Sequence, residues 1–154
     1  LALFPAIADI VPGNVKHIED DWDRLLAIRI SVLTHLEALR INKEIGKSLE
    51  AEITLSVPAE NQPNDYSILV SYKDALPELF NVSAVNVVEI NHPTSGFPIL
   101  AYKSTAPKCE RCWRYVPDVA SNDAYPTVCQ RCAEALAAIQ FPPYSAPPSH
   151  AEQT

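Results

Sequence analysis

Lys108-Cys109-Glu110-Arg111-Cys112-Trp113-Arg114-Tyr115 and, after an intervening loop, Val128-Cys129-Gln130-Arg131-Cys132-Ala133-Glu134-Ala135-Leu136 decide how the end of this chain folds. All four cysteines of the sequence lie here, in two Cys-x2-Cys pairs separated by sixteen residues. Two cysteines three positions apart in a tight turn aim both sulfurs at one point, about 2.3 Å from a metal, and two such turns complete a tetrahedron. Four thiolates leave no coordination position for water or substrate, so the spacing predicts one structural zinc held by Cys109, Cys112, Cys129 and Cys132. An iron centre satisfies the same spacing. A pair of disulfides suits an oxidising compartment, which no secretory signal supports, and a thioredoxin-like site uses a single Cys-x2-Cys in a βαβ setting. Four thiolates around a divalent ion carry a formal −2, which Lys108, Arg111, Arg114 and Arg131 are placed to offset.

Working outward, the composition separates this module from the rest. The chain of 154 residues carries a net charge of −7, from 12 basic and 19 acidic residues. Residues 101–132 hold five basic residues against three acidic, a local +2, so the remainder carries −9. That balance speaks against a stand-alone, salt-driven nucleic-acid binder. Hydrophobic residues make up 47%, enough for a core, while 14 prolines exclude one long helix bundle. No apolar run approaches the roughly 20 residues of a membrane span, and no signal peptide is visible. With no methionine anywhere and an opening that reads like the interior of a protein, the sequence is taken as a piece of a longer chain.

Before the cysteines the pattern is mixed. Residues 1–18 look irregular, broken by Pro5, Pro12 and Gly13. From Trp22 to about Glu44 the periodicity is helical, with Trp22, Leu25, Leu26, Leu33 and Leu36 on one face together with Arg29 and Arg40, and Gly46 as the stop. The two arginines are expected to pair structurally, with Glu37, Glu44 and Glu50 as partners, in preference to contacting RNA. Lys43 and Lys47 near the helix end suit either the helix dipole or a phosphate. Residues 52–57 alternate as a strand; 58–65 read as a polar loop; 66–81 read as a helix restarted at Pro77; strands follow at about 84–90 and 98–103 around a turn at 91–96. The predicted fold is α+β: a long helix, a small mixed α/β module, then a four-cysteine zinc-finger module. The expected divisions are 1–50, 51–104 and 105–140, with a proline-rich disordered tail at 141–154.

The two cysteine stretches resemble the zinc finger that ends bacterial isoleucyl-tRNA synthetases. Upstream, Trp22, Leu25, Arg29, Leu36, Glu37 and Arg40, then Lys43 and Ile45-Gly46-Lys47-Ser48-Leu49-Glu50-Ala51, resemble the end of that family's helical anticodon-binding domain, and Leu1-Ala2-Leu3-Phe4-Pro5 fits the loop before it. The resemblance covers about 1–57 and 99–136. It implies part of a cytoplasmic, monomeric ligase that charges tRNA-Ile with isoleucine using ATP, whose catalytic and editing sites lie upstream, so the partners expected are tRNA-Ile and the remainder of the synthetase chain. The family's finger approaches the anticodon, which makes Arg111 and Trp113 the first RNA-contacting residues expected, with Arg114, Arg131 and Lys108 on the RNA backbone. Trp113 has a second role open to it, capping the zinc core, and Arg131 suits charge balance better than RNA contact.

No catalytic residue is expected in this stretch. His17, His35, His92 and His150 are scattered, no nucleophile has a partnered base, and three glycines build no phosphate-cradling loop. Two other functions fit the four-cysteine layout: the tail of a DNA-repair glycosylase, and a zinc module that binds protein alone.

Overall fold

A computed structural model describes residues 16–58, 65–91 and 98–144. Among the described residues, helix α1 (Lys16–Ile41) comes first, followed by a 3-10 turn (Ser48–Glu50) and strand β1 (Ala51–Pro58). Helices α2 (Asp65–Ser71) and α3 (Leu76–Phe80) lead to strand β2 (Ala84–Ile90); strand β3 (Ile99–Lys103) and helix α4 (Gln130–Ala138) complete the order. The α+β class follows directly. Of the irregular segment expected over 1–18, residues 16–18 belong to α1 and 1–15 lie outside the described residues, as do most of the 58–65 loop, most of the turn expected at 91–96 and the tail from 145.

The sheet has the order β2-β1-β3. β1 runs parallel to β2, with Glu52 opposite Ala84, and antiparallel to β3, with Ala51 opposite Lys103. Along β1 alternate residues Ala51, Ile53, Leu55 and Val57 are buried, as the period of two requires when one face meets the core. Helix α1 supplies Leu25, Ile28, Val32, Leu36 and Leu39 to that core, and α2, α3 and the turn after α3 supply Leu69, Leu76, Phe80 and Val82. One hydrophobic core therefore runs across residue 50, joining the long helix to the sheet.

The face of α1 differs from the sequence expectation. Leu25 and Leu36 are buried as predicted and Leu33 is partly buried, but Trp22 and Leu26 are exposed and Ile28, Val32 and Leu39 take their places. The reason is that α1 carries apolar residues on more than one side, Ile18, Ile30 and Ile41 among the exposed ones, so periodicity leaves the rotation of the stripe open. The helix also starts earlier, at Lys16, and stops before Gly46. Lys43 adopts φ 60°, and its N–H and that of Glu44 bond the carbonyls of Arg40 and Leu39, at 3.0 and 2.9 Å. This is a Schellman closure with lysine in the left-handed slot. Asn81 and Gln140 end α3 and α4 in the same way, at φ 57° and 54°.

Arg40 pairs with Glu37 at 2.8 Å and also bonds the Ser48 hydroxyl, tying the helix end to the 3-10 turn. Arg29 takes a carbonyl in place of the expected carboxylate: its Nε donates to Leu79 O at 2.9 Å, across the α1–α3 contact. The fork of Arg24 grips the fully buried Asp65 at 2.5 and 2.6 Å, fixing the start of α2 against α1.

Candidate metal centre and its exposed rim

The first knuckle is closed by backbone bonds. Cys109 N–H donates to Arg114 O at 2.8 Å, Trp113 N–H to Cys109 O at 2.9 Å, and Lys108 bridges Tyr115 as an isolated antiparallel pair. The turn needs a left-handed residue at its corner, and Trp113 fills it at φ 65°. The second knuckle starts helix α4: Cys129 is its N-cap and Cys132 lies in its first turn. Asp118 accepts the N–H of Gln130 at 3.0 Å, supplying the side-chain cap that Cys129 does not.

These turns bring the four sulfurs within 4.8 Å of one another, and none is in a disulfide. Tetrahedral thiolates about 2.3 Å from a zinc sit about 3.8 Å apart, and Cys112 Sγ to Cys129 Sγ is 3.8 Å. The donor set fits one structural zinc. Cys109 Sγ accepts N–H groups from Cys112 and Cys129 at 3.5 and 3.4 Å, and Arg111 Nη1 approaches Cys132 Sγ at 3.6 Å. Burial acts to raise the Cys109 thiol, yet the N–H groups of Cys112, Cys129 and Arg111 outweigh it and hold it down at about 6. Burial and the neighbouring sulfurs push Cys129 up to about 12. A divalent cation is what lets such crowded thiols ionise together.

A small second core surrounds the sulfurs, built from Tyr125, Val128 and Ala133 with Val116, Val119 and Leu136 against them. It reaches further than expected. Of the disordered tail expected over 141–154, the described residues 141–144 are held: Tyr125 donates its hydroxyl proton to Phe141 O at 2.6 Å and Tyr144 N–H donates to Ala124 O at 2.8 Å. Both anchors use the non-proline residues that flank Pro142 and Pro143, so the missing proline donors cost these bonds nothing.

The finger is fixed to the sheet end at three places. Tyr115 N–H donates to Ser83 Oγ at 2.7 Å, while Ser83 Oγ in turn donates to Leu49 O at 2.5 Å. Glu78 on α3 receives Arg114 at 2.8 Å and Arg131 at 3.4 Å. Burial pushes the Glu78 carboxyl up, but the Arg114 hydrogen bond and the two guanidinium charges outweigh it and hold it below the ordinary value.

Of the residues predicted to contact RNA, Trp113 and Lys108 come together: the half-exposed indole has the Lys108 ammonium 5.7 Å from its centroid. Trp113 is not among the residues that build the finger's core. Arg111 is exposed beside the sulfurs. Arg114, only 18% exposed, and Arg131 turn toward Glu78. Lys47, which by sequence suits the helix dipole or a phosphate, places its ammonium 5.1 Å from the Trp113 centroid. Glu78 and Ser83 carried no signal, because their partners are distant in sequence.

A family model described as the zinc finger found in FPG and IleRS matches residues 107–135. The chain is 40% identical over 114 residues to the isoleucine–tRNA ligase of Dichelobacter nodosus, covering 74% of this chain and 12% of that protein. It is 37% identical over 123 residues to the isoleucine–tRNA ligases of Carboxydothermus hydrogenoformans and Thermotoga neapolitana, covering 77% and 79% of this chain and 13% of each of them. The chain thus spans about an eighth of the length of these relatives. Among the described residues, no helix is long and apolar enough to cross a membrane.

Proposed function

We propose that this chain, which carries the zinc finger found in FPG and IleRS over residues 107–135 and is similar to isoleucine–tRNA ligases over 114 residues, holds the anticodon arm of tRNA-Ile for ATP-dependent isoleucylation by the rest of a cytoplasmic, monomeric ligase. The observation that carries this reading is the half-exposed Trp113 indole at the corner of a metal-closed knuckle, flanked by cations and with Arg111 two residues before it. Splayed bases of RNA loops are read by aromatic stacking and by hydrogen bonds to their edges. A knuckle whose backbone is fixed by its ligands presents the ring with little ordering entropy left to lose. In this reading Arg111 and Trp113 meet bases, Lys108 meets the RNA backbone, and Arg114 and Arg131 serve chiefly to seat the finger on Glu78.

The finger alone does not favour tRNA over other nucleic acids, since its family description names FPG beside IleRS. Similarity over 114 residues, far more than the finger, supports the ligase reading over a DNA-repair one. The test is Trp113→Ala in the full-length ligase. Affinity for a tRNA-Ile transcript should fall about 5- to 150-fold, the equivalent of one stacked base, with zinc content still at one. Unchanged affinity, or a stronger preference for abasic duplex DNA than for tRNA-Ile, contradicts the proposal.

A further inference from the structure

Lys47 and Lys108 come from different parts of the molecule, one before the 3-10 turn and the other at the entry to the finger. Their ammoniums nevertheless stand 5.1 and 5.7 Å from the centroid of the same indole, over a shallow cleft lined by Leu49, Glu50 and Tyr115. The one carboxylate lining that cleft is already engaged: Glu50 accepts the N–H groups of Gly46 and Lys47, each at 3.2 Å, and has the Lys103 ammonium at 4.0 Å. Neither Lys47 nor Lys108 has an ion-pair partner among the described residues. Two like charges beside one exposed ring repel each other, and cation–π attraction at an exposed ring is weak, about 0.5–1 kcal/mol each. An anion between or beside them would relieve that repulsion, and a flat aromatic group attached to it would take the ring.

We propose that Lys47, Trp113 and Lys108 form one site for a nucleotide of single-stranded RNA, the indole stacking on the base and the two ammoniums taking the flanking phosphates. The site rests on the reading that the finger binds RNA, and adds to it a residue of the body. Charge-assisted bonds to phosphate oxygens replace the weaker contacts to the ring as the base arrives. Because Lys47 belongs to the body, the site is complete only while the finger is seated through Ser83 and Glu78. RNA affinity is thereby tied to the docking of the finger.

The experiment is filter binding of a tRNA-Ile transcript by the zinc-loaded full-length ligase across a salt series, with Lys47→Gln, Lys47→Arg and Trp113→Ala. Removing one phosphate contact should lower the slope of log affinity against log salt by about 0.7–0.9 in Lys47→Gln, while Lys47→Arg keeps the parental slope and zinc stays at one per chain in all variants. A parental slope in Lys47→Gln alongside weakened binding by Trp113→Ala overturns the shared site and leaves the finger binding alone. A lowered slope in Lys47→Gln with Trp113→Ala unaffected separates lysine from indole and equally overturns it. No effect from either variant removes the RNA reading itself, and this site with it.

Discussion

Trp113 sits where glycine would be conformationally easiest. Its φ of 65° lies in the left-handed region, which costs a side-chain-bearing residue about 1–2 kcal/mol. The indole gains little in return from packing, being half-exposed and outside the finger's core. On the proposed function, folding and binding make opposite demands at this position, and two substitutions separate them. Trp113→Gly should be more stable than Trp113→Ala by about 1 kcal/mol in denaturation of the zinc-loaded protein, while both lose RNA affinity to the same extent. Equal stability would place the strain elsewhere. The cysteines were legible at this scale because ligand spacing is local: each pair needs only its own turn. Arg114 was not, because the carboxylate that draws it inward belongs to α3. The left-handed corner itself left no sequence signal, since only a glycine or asparagine would have advertised it.

Among elements, α1 shows where pattern reading stops. Its existence was legible from a long apolar periodicity, and β1 from strict alternation, but the buried side of α1 was not. Leu26 and Leu36 look alike in sequence; the first is 46% exposed and the second fully buried against the sheet. Leu36→Ala should cost about 2–5 kcal/mol in urea denaturation of this chain, the loss of transfer energy plus a cavity. Leu26→Ala should cost under about 1 kcal/mol. Comparable losses would mean that the helix is rotated from the orientation described. The docking of residues 141–144 was hidden for a related reason: a segment reads as loose when its anchors, here Tyr125 and Ala124, lie outside it.

At the scale of the whole molecule, Glu78 is the charge that two arginines of the finger share. Its carboxyl is held below the ordinary 4.5 in the folded chain, so its contribution is fully present above that value and is lost as pH falls through the folded one. Glu78 is half-exposed and its charge screened by solvent, so the contribution is small, about 0.5 kcal/mol. The stability gap between the parent and Glu78→Gln should therefore be open at pH 7 and narrow below about pH 4.5, when both are measured with zinc bound. A gap that does not change with pH would show that Glu78 acts by shape alone.

The pairing of β3 with β1 also sets a measure. Lys103, the last residue of β3, lies opposite Ala51, and Ser104 N–H donates to Glu50 O at 2.7 Å just before the chain turns into the finger. Lys47 lies a few residues ahead of that same sheet end. A slip of β3 by a single position would carry Lys108 and Trp113 about 3.4 Å along the strand axis and turn alternate side chains to the opposite face. The strand thus works as a ruler: the distance between the two lysines is graduated in whole residues, and nothing shorter than one graduation can be adjusted without breaking the ladder.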